Sequence, residues 1–408
     1  MKTIILKFGG TSVRNELGRT AATNHVKAAM AAGYKVVVVV SAMGRAGEPY
    51  ATDTLLSLIG GHHACVSSRE KDLLISCGEV ISSVVFSNTL IESGIRATSF
   101  TGGQAGIRTT SEFGNAKIHE MKVARLLDEL RQVDVVVVAG FQGVNAHYDV
   151  TTIGRGGSDT TAAALGAALG SEYVDIFTDV EGVMTADPRI TKLAQLIDVV
   201  SYNEISQLAY QGAKVVHPRA VELAREAAVP LRIRSTYSET LGTLITSSAR
   251  AKKLDVRERL ITGIAHLSGI SQIKVTPRDD DPFGMQSEVF HAMASAGISV
   301  DFINIYPNGL QYTVSRADSE RAVEILRARK FEVTCVADCA KISIVGGSIS
   351  GVPGVTAKIV TPLAARGIQI LQSADSYTII WVLVKEIYLR EAVDALHEEF
   401  QLYLGGRK

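Results

Sequence analysis

Apolar runs without alternation punctuate the first 246 residues, separated by longer stretches of helical periodicity. Residues 36–40 are five valines in a row, and 135–138 are four more. Runs of this kind mark strands buried on both faces, as in a parallel sheet covered by helices. The pattern predicts strands near 4–8, 35–40, 134–139, 173–177 and 231–234, with helices near 15–31, 51–59, 69–93, 116–130 and 218–228. Strand and helix signals in this alternation imply an α/β fold of three layers, α/β/α.

The pattern changes near residues 242–253. The stretch SSARAKKLDVRER is charged and poor in core residues, so 247–259 reads as a linker between a domain at 1–246 and a region at 260–408. That region contains a repeat. GMQSEVFHAMASAGISV from Gly284 aligns without a gap on GVTAKIVTPLAARGIQI from Gly354, 70 positions on. So long a period means duplicated domains rather than a solenoid. Each copy lays out as βαββαβ, a ferredoxin-like unit. The first has strands near 271–275, 298–305, 310–315 and 332–337 and helices near 285–296 and 318–329; the second has strands near 341–345, 368–374 and 377–384 and helices near 354–366 and 388–401. The second copy lacks its last strand, and one strand near 260–266 is left over. We expect that strand to close the second copy, so that the first copy (about 268–338) is inserted within the second (about 260–267 plus 339–408) and the sheet edge is filled.

Charge narrows the class. Lys+Arg and Asp+Glu balance at 42 each, so no global field favours nucleic acid or a membrane surface. No apolar run approaches the roughly 18 residues of a spanning helix, and the chain opens on a strand rather than on a charged-then-apolar leader. Cys65, Cys77, Cys335 and Cys339 have no metal-ligand spacing with histidine, so no protein-held metal is expected, and four thiols in a chain of 408 residues suit a reducing, cytoplasmic setting.

The most informative stretch is TTIGRGGSDTTAAALGAAL, residues 151–169. Gly154, Gly156 and Gly157 form a loop that a ligand can approach closely, Arg155 supplies a fixed cation, Ser158 reads as the helix N-cap and Asp159 as a first-turn residue. A glycine loop feeding a helix N-terminus collects anions, because free N–H groups and the helix dipole point outward. The first strand ends in Lys7-Phe8-Gly9-Gly10, and ligands bind beyond the carboxyl ends of parallel strands. Neither the Walker A pattern nor the dinucleotide fingerprint occurs, which disfavours a nicotinamide dehydrogenase. A third segment, 178–189, follows a strand and carries three carboxylates before a proline; it reads equally as a solvated turn. Lys214 precedes a helix start with Pro218 at its first position, and His217 reads as a local cap. Glu79 sits in an otherwise apolar helix. It either faces solvent or, buried, receives a cationic group.

KFGGTS (7–12), VSAMG (40–44), GE (78–79), AGFQG (139–143), TTIGRGGSDTTA (151–162), FTDVEGVMTADPR (177–189) and GAKVVHPRA (212–220), in this order, resemble the aspartokinases of the amino acid kinase family, and the duplicated tail resembles their paired ACT domains. The resemblance implies phosphorylation of the side-chain carboxylate of L-aspartate by ATP, with Mg2+ carried by the nucleotide. It implies that Lys7 and Asp159 are catalytic. It assigns the nucleotide to Lys7, Phe8, Gly9, Gly10, Ser41, Thr178, Asp179, Met184, Thr185, Ala186, Asp187, Pro188, Arg189 and Lys214. It assigns aspartate to Thr52, Glu79, Arg155, Gly156, Gly157 and Ser158, with Arg155 on the α-carboxylate and Glu79 on the ammonium. The stretch 44–51, which separates SAMG from Thr52, is longer than in many aspartokinases.

For the tail, the resemblance implies feedback inhibition by a pathway amino acid (lysine, threonine, both together, or meso-diaminopimelate) and a homo-oligomer, a dimer through the ACT domains. Asp301, Asn304, Val352, Pro353, Gln372, Ser373 and Asp375 are the effector candidates, each of which reads equally as a sheet residue at a subunit interface. Two other functions stay open: a kinase of the same fold acting on glutamate, N-acetylglutamate or a nucleoside monophosphate, and a non-catalytic amino-acid sensor.

Overall fold

The structure, a computed structural model, describes residues 2–61, 65–213, 215–254, 260–276, 282–347, 349 and 351–405. The chain forms two compact units, one of residues 1–183, 196–209 and 214–257, the other of 184–195, 210–213 and 258–408.

In chain order the strands of the first unit are β1 (Thr3–Phe8), β2 (Lys35–Val40), β3 (Ala97–Phe100), β4 (Ile107–Thr109), β5 (Ile118–Met121), β6 (Val135–Ala139), β7 (Gln142–Val144), β8 (Val150–Thr152), β9 (Val174–Thr178), β10 (Val199–Ser201), β11 (Leu231–Ser235) and β12 (Thr243–Thr246). Its helices are α1 (Gly10–Val13), α2 (Glu16–Ala31), α3 (Thr52–Ser57), α4 (Ser68–Glu92), α5 (Ala124–Gln132), α6 (Gly157–Leu169), α7 (Tyr202–Tyr210), α8 (Pro218–Glu226) and α9 (Ser248–Leu254). An eight-stranded sheet runs β10-β12-β11-β9-β1-β2-β6-β3, and a four-stranded sheet runs β5-β4-β7-β8. Strands β9, β1, β2 and β6 at the centre are parallel. The valines of β2 and β6 are fully buried, as their unbroken apolar character requires.

Two expectations needed correction here, the helix at 116–130 and the absence of a long apolar run, and one span gained an element. The helix expected at 116–130 is a strand (β5) followed by the shorter α5, because residues 118–121 pair with β4. The span read as linker contains α9. Helix α4, at 25 residues, is long and apolar enough by length and composition to cross a bilayer. It carries Asp72 and Glu79 buried on one face and packs on β3, β6 and β8, the position of a core helix.

The second unit holds β13 (Gly263–Thr276), β14 (Asp301–Tyr306), β15 (Gly309–Ser315), β16 (Glu332–Val345), β17 (Gln372–Asp375) and β18 (Ile379–Lys385), with α10 (Pro282–Ser295), α11 (Arg316–Ala328), α12 (Val355–Ala365) and α13 (Leu389–Glu399). One sheet orders them β14-β15-β13-β16-β18-β17. The strands expected to stop between the two copies run on instead: β13 and β16 are each 14 residues long, pairing with each other through register shifts near 267–272. Residues 263–267 of β13 pair with 341–345, while 270–275 pair with 310–315 of β15.

Candidate active site

Everything at this site hangs from the carboxyl end of β1. Phe8, its last residue, lies level with Val40 of β2 on one side and Phe177 of β9 on the other. Phe8 and Phe177 stack at 4.7 Å, a rigid apolar floor. Beyond them the chain turns through Gly9 and Gly10 into α1. A Cβ on Gly10 would stand 2.3 Å from the Ala42 carbonyl oxygen and 2.9 Å from that of Gly44, so only glycine fits. Backbone bonds pin the turn to the end of β2, with Ser41 N–H donating to Phe8 O (3.1 Å) and Gly44 N–H to Gly10 O (3.1 Å).

Lys7 alternates out of the apolar floor. Its ammonium lies 2.7 Å from Asp159 Oδ1, both side chains mostly covered. Asp159 stands in the first turn of α6, four residues after Arg155. This pair brings together two segments 152 positions apart in sequence.

The Arg155 loop is held from both sides. On its N-terminal side the buried Asp72 carboxylate accepts Thr152 N–H (2.7 Å), Thr152 Oγ1–H (2.8 Å) and Gly114 N–H (3.0 Å). Arg219 donates to the carbonyls of Ile153 (2.7 Å) and Ala116 (3.1 Å). On the other side, His217 caps α8, its N–H donating to Asp159 Oδ2 at 3.4 Å, and a Cβ on Gly156 would meet the His217 ring at 2.1 Å. Gly154 and Gly156 have φ of 82° and 70°, the left-handed region that glycine adopts without strain. The helix N-cap is Gly156 rather than Ser158, which is buried one residue inside the first turn beside Gly157. Arg155 itself is exposed and has no ion pair among the described residues. Asp72 and Arg219 were not singled out from the sequence. Asp72 carries the signal that drew attention to Glu79, an acid in an apolar helix, and lies two turns earlier on the same face.

Glu79 is 2% exposed, so the solvated reading of this residue is wrong. Its Oε1 accepts Ala42 N–H at 3.0 Å, and Oε2 has no hydrogen-bond partner. Burial pushes its pKa up to about 8. The helix comes close enough for this because Gly78 has no side chain; a Cβ there would lie 2.7 Å from Tyr50 O. Ser41 follows β2 half-buried, and Thr52 opens α3.

At the end of β9, Thr178 Oγ1–H donates to Asp179 Oδ1 (3.1 Å), and Asp179 Oδ2 accepts from Arg45 at 3.0 Å. After Val183 the chain enters the second unit. There Thr185 and Ala186 are buried: Thr185 Oγ1 meets His397 Nε2 at 2.9 Å, Thr185 O accepts Ile264 N–H at 2.8 Å, and Ala186 packs in a core with Ile261, Ile264 and Ala340. Their side chains, expected from the sequence at a nucleotide, are used in that packing. Met184 is half-buried and Pro188 is exposed, while Arg189 grips Asp187 and holds its carboxyl below the usual range. Lys214 lies outside the described residues.

Among the effector candidates, Gln372 is buried and its amide donates to Asn304 Oδ1 (2.6 Å) and to Phe302 O, while Asp301 pairs with Lys341 at 2.5 Å. Ser373 and Asp375 lie on β17, and Val352 and Pro353 in the exposed turn before α12, whose N-cap is Gly354.

The amino acid kinase family matches residues 2–235 and the ACT domain family residues 334–398. Aspartokinase 1 of Bacillus subtilis is 58% identical over 403 residues, 98% of this chain and 100% of that protein. The aspartokinase of Mycolicibacterium smegmatis is 40% identical over 419 residues, covering 100% of this chain and 97% of the other. Among solved structures, E. coli aspartokinase III in complex with aspartate and ADP (R-state) superposes with a TM-score of 0.75 at 25% identity, covering 98% of this chain and 99% of that one. The same enzyme in complex with lysine and aspartate (T-state) gives 0.81 at 25% identity, covering 98% and 100%. The chain therefore belongs to the amino acid kinase family and, within it, to the aspartokinases.

Proposed function

We propose that this aspartate kinase works by bringing two anions together at the end of β1. The observation that carries the reading is the 2.7 Å contact between Lys7 and Asp159, which joins the glycine turn of β1 to the helix that follows the Arg155 loop. Phosphoryl transfer is chiefly positioning and charge neutralisation. A side-chain carboxylate oxygen of aspartate attacks the γ-phosphorus of ATP, the bond to the β–γ bridging oxygen breaks, and ADP leaves with that electron pair. The acceptor is already an anion, so no strong base is required. Lys7, with the N–H groups of Gly9 and Gly10, neutralises charge growing on the transferred group, and Asp159 holds the ammonium in place. The end of β9, Thr178 and Asp179, borders the nucleotide. Mg2+ enters as part of the substrate, on the phosphates of ATP.

Arg155 takes the aspartate α-carboxylate, for which a planar fork suits better than a point charge, and Glu79 takes its ammonium. An empty Glu79 pocket holds a proton at neutral pH, because burial lifts its pKa to about 8. A substrate ammonium beside it favours the carboxylate, so binding releases that proton. The Kd for aspartate is then expected to fall as pH rises from about 6 to 8, with calorimetry in buffers of different ionisation enthalpy showing proton release. The slope disappears in Glu79→Gln. A wild-type Kd that is flat over this range would remove Glu79 from the ammonium site.

In the second unit we infer a tandem ACT region at 260–408 whose first copy, about 268–338, is inserted in the second, 260–267 plus 339–408, after a connector at 247–259. The pairing of 263–267 with 341–345 supports this. A pathway amino acid would bind there as feedback inhibitor, with Asp301, Asn304, Gln372 and the 352–353 turn as the residues to substitute first, in a homodimer formed through these domains. E. coli aspartokinase III in complex with lysine and aspartate supports an amino-acid effector for this class of enzyme. The described cysteines are all unpaired, which fits the cytoplasm.

The direct test of the reaction is ATP-dependent hydroxamate formation from an acyl phosphate trapped by hydroxylamine. L-aspartate is expected to serve as acceptor and glutamate not. Product from glutamate alone, or from neither, would overturn the assignment of the acceptor.

A further inference from the structure

We propose that Arg45 is a phosphate ligand of the nucleotide, parked on Asp179 as a strap across the glycine turn until the polyphosphate takes its guanidinium; this rests on ATP being the donor bound at the end of β1. Strands β2 and β9 flank β1, so their ends stand about 10 Å apart, twice the spacing of neighbouring strands. Arg45 lies in the turn beyond β2, and Asp179 directly follows β9. Their 3.0 Å contact therefore crosses over the carboxyl end of β1, where Gly9 and Gly10 lie. The turn beneath touches both supports of the strap. Gly10 abuts the carbonyls of Ala42 and Gly44, and a Cβ on Gly9 would lie 3.9 Å from Phe177 O and 3.8 Å from the Lys7 ammonium. Arg45 and Lys7 thus stand at one strand end, each neutralised by a carboxylate from a different element.

The arm that presents Arg45 is built rather than loose. Arg45 N–H donates to Glu48 Oε2 (2.6 Å), Arg14 reaches Glu48 Oε1 (3.4 Å), Gly47 N–H donates to Thr54 Oγ1 (3.0 Å), and Tyr50 turns the chain at φ 68°. The strap itself is weak, since the side chains of Arg45 and Asp179 are 68% and 50% exposed and water competes for both. A guanidinium exchanges such a partner readily for phosphate oxygens, which it can grip bidentately. Thr178 Oγ1 keeps Asp179 oriented when the arginine leaves.

Calorimetry of ADP binding to the full chain, with steady-state kinetics alongside, tests this. Arg45→Ala is expected to raise the Kd for ADP and the KM for ATP about tenfold or more while the KM for aspartate stays put, and Arg45→Lys to fall between. Because Asp179 also borders the nucleotide, its part in the strap is read as a difference: Arg45→Ala is expected to cost more ADP affinity in an Asp179→Asn background, where no carboxylate competes for the guanidinium, than in the wild type. ADP affinity within twofold of wild type in Arg45→Ala, a shift in the aspartate KM instead, or a cost of Arg45→Ala that is no larger in the Asp179→Asn background would each overturn the strap. ADP binding needs no turnover. Arg45-dependent binding in a chain that fails to phosphorylate aspartate would therefore sink the acceptor reading and leave this one standing.

Discussion

Lys7→Ala is expected to lower kcat about 10²- to 10³-fold, the usual effect of removing one preorganised charge from a site where charge develops. The substitution should act on kcat far more than on either KM, because the ammonium is most needed when negative charge is concentrated between donor and acceptor. The loss is double-edged. Truncation leaves Asp159, now unpartnered by its cation, facing the incoming anions from a mostly covered position. Asp159→Asn should consequently cost less than Lys7→Ala, and Lys7→Ala/Asp159→Asn should recover part of the loss. Steady-state kinetics of the three variants, with thermal melts to show that each folds, checks this. A Lys7→Ala enzyme with kcat within a few-fold of wild type would remove Lys7 from the transition state.

Arg155→Ala is expected to raise the KM for aspartate on the order of 10²-fold with the Kd for ADP nearly unchanged, since one bidentate charge-assisted contact to the α-carboxylate is lost. The effect should be clean. Arg155 has no ion pair among the described residues, so its removal strands no carboxylate, and its loop is clamped by Asp72, Arg219 and His217 without its help. Arg155→Lys should rescue only partly, because an ammonium cannot grip both oxygens. Equal loss for both substrates would mean that the guanidinium does not discriminate acceptor from donor. Asp72→Asn offers a contrast: it leaves every substrate contact in place but loosens the strand feeding the loop, so it should weaken aspartate binding and stability together.

These residues differ in how visible they are in the chain. Arg155 is legible because it stands between glycines ahead of a small-residue helix, a local pattern with a local physical meaning. The parallel core is legible for the same reason, its strands being unbroken valine runs. What the pattern cannot carry is pairing across long separations. Nothing near Lys7 announces Asp159, and nothing near Arg45 announces Asp179, 134 positions away. Read from its own surroundings, Glu79 is a paradox, an acid in an apolar helix, and the approach of Ala42 decides which way it faces. Residues 116–130 look helical until β4 is there to pair with 118–121. Strands β13 and β16 run through polar breaks at Gly269 and Asp338, both at positive φ, since register shifts absorb the irregularity that reads as a strand end. Thr185 and Ala186 sit in a motif of the catalytic region yet are buried in the second unit, which no local signal reveals.

The glycine turn of β1 and the Arg155 loop are expected to serve one reaction, one holding the donor and the other the acceptor. A crystal structure of the full chain with MgADP and L-aspartate tests it most directly. Nucleotide phosphate is expected on Gly9, Gly10 and Lys7, the aspartate α-carboxylate on Arg155, its ammonium on Glu79, and its side-chain carboxylate turned toward the phosphates. Aspartate bound away from Arg155, or nucleotide phosphate bound away from Lys7, would contradict it.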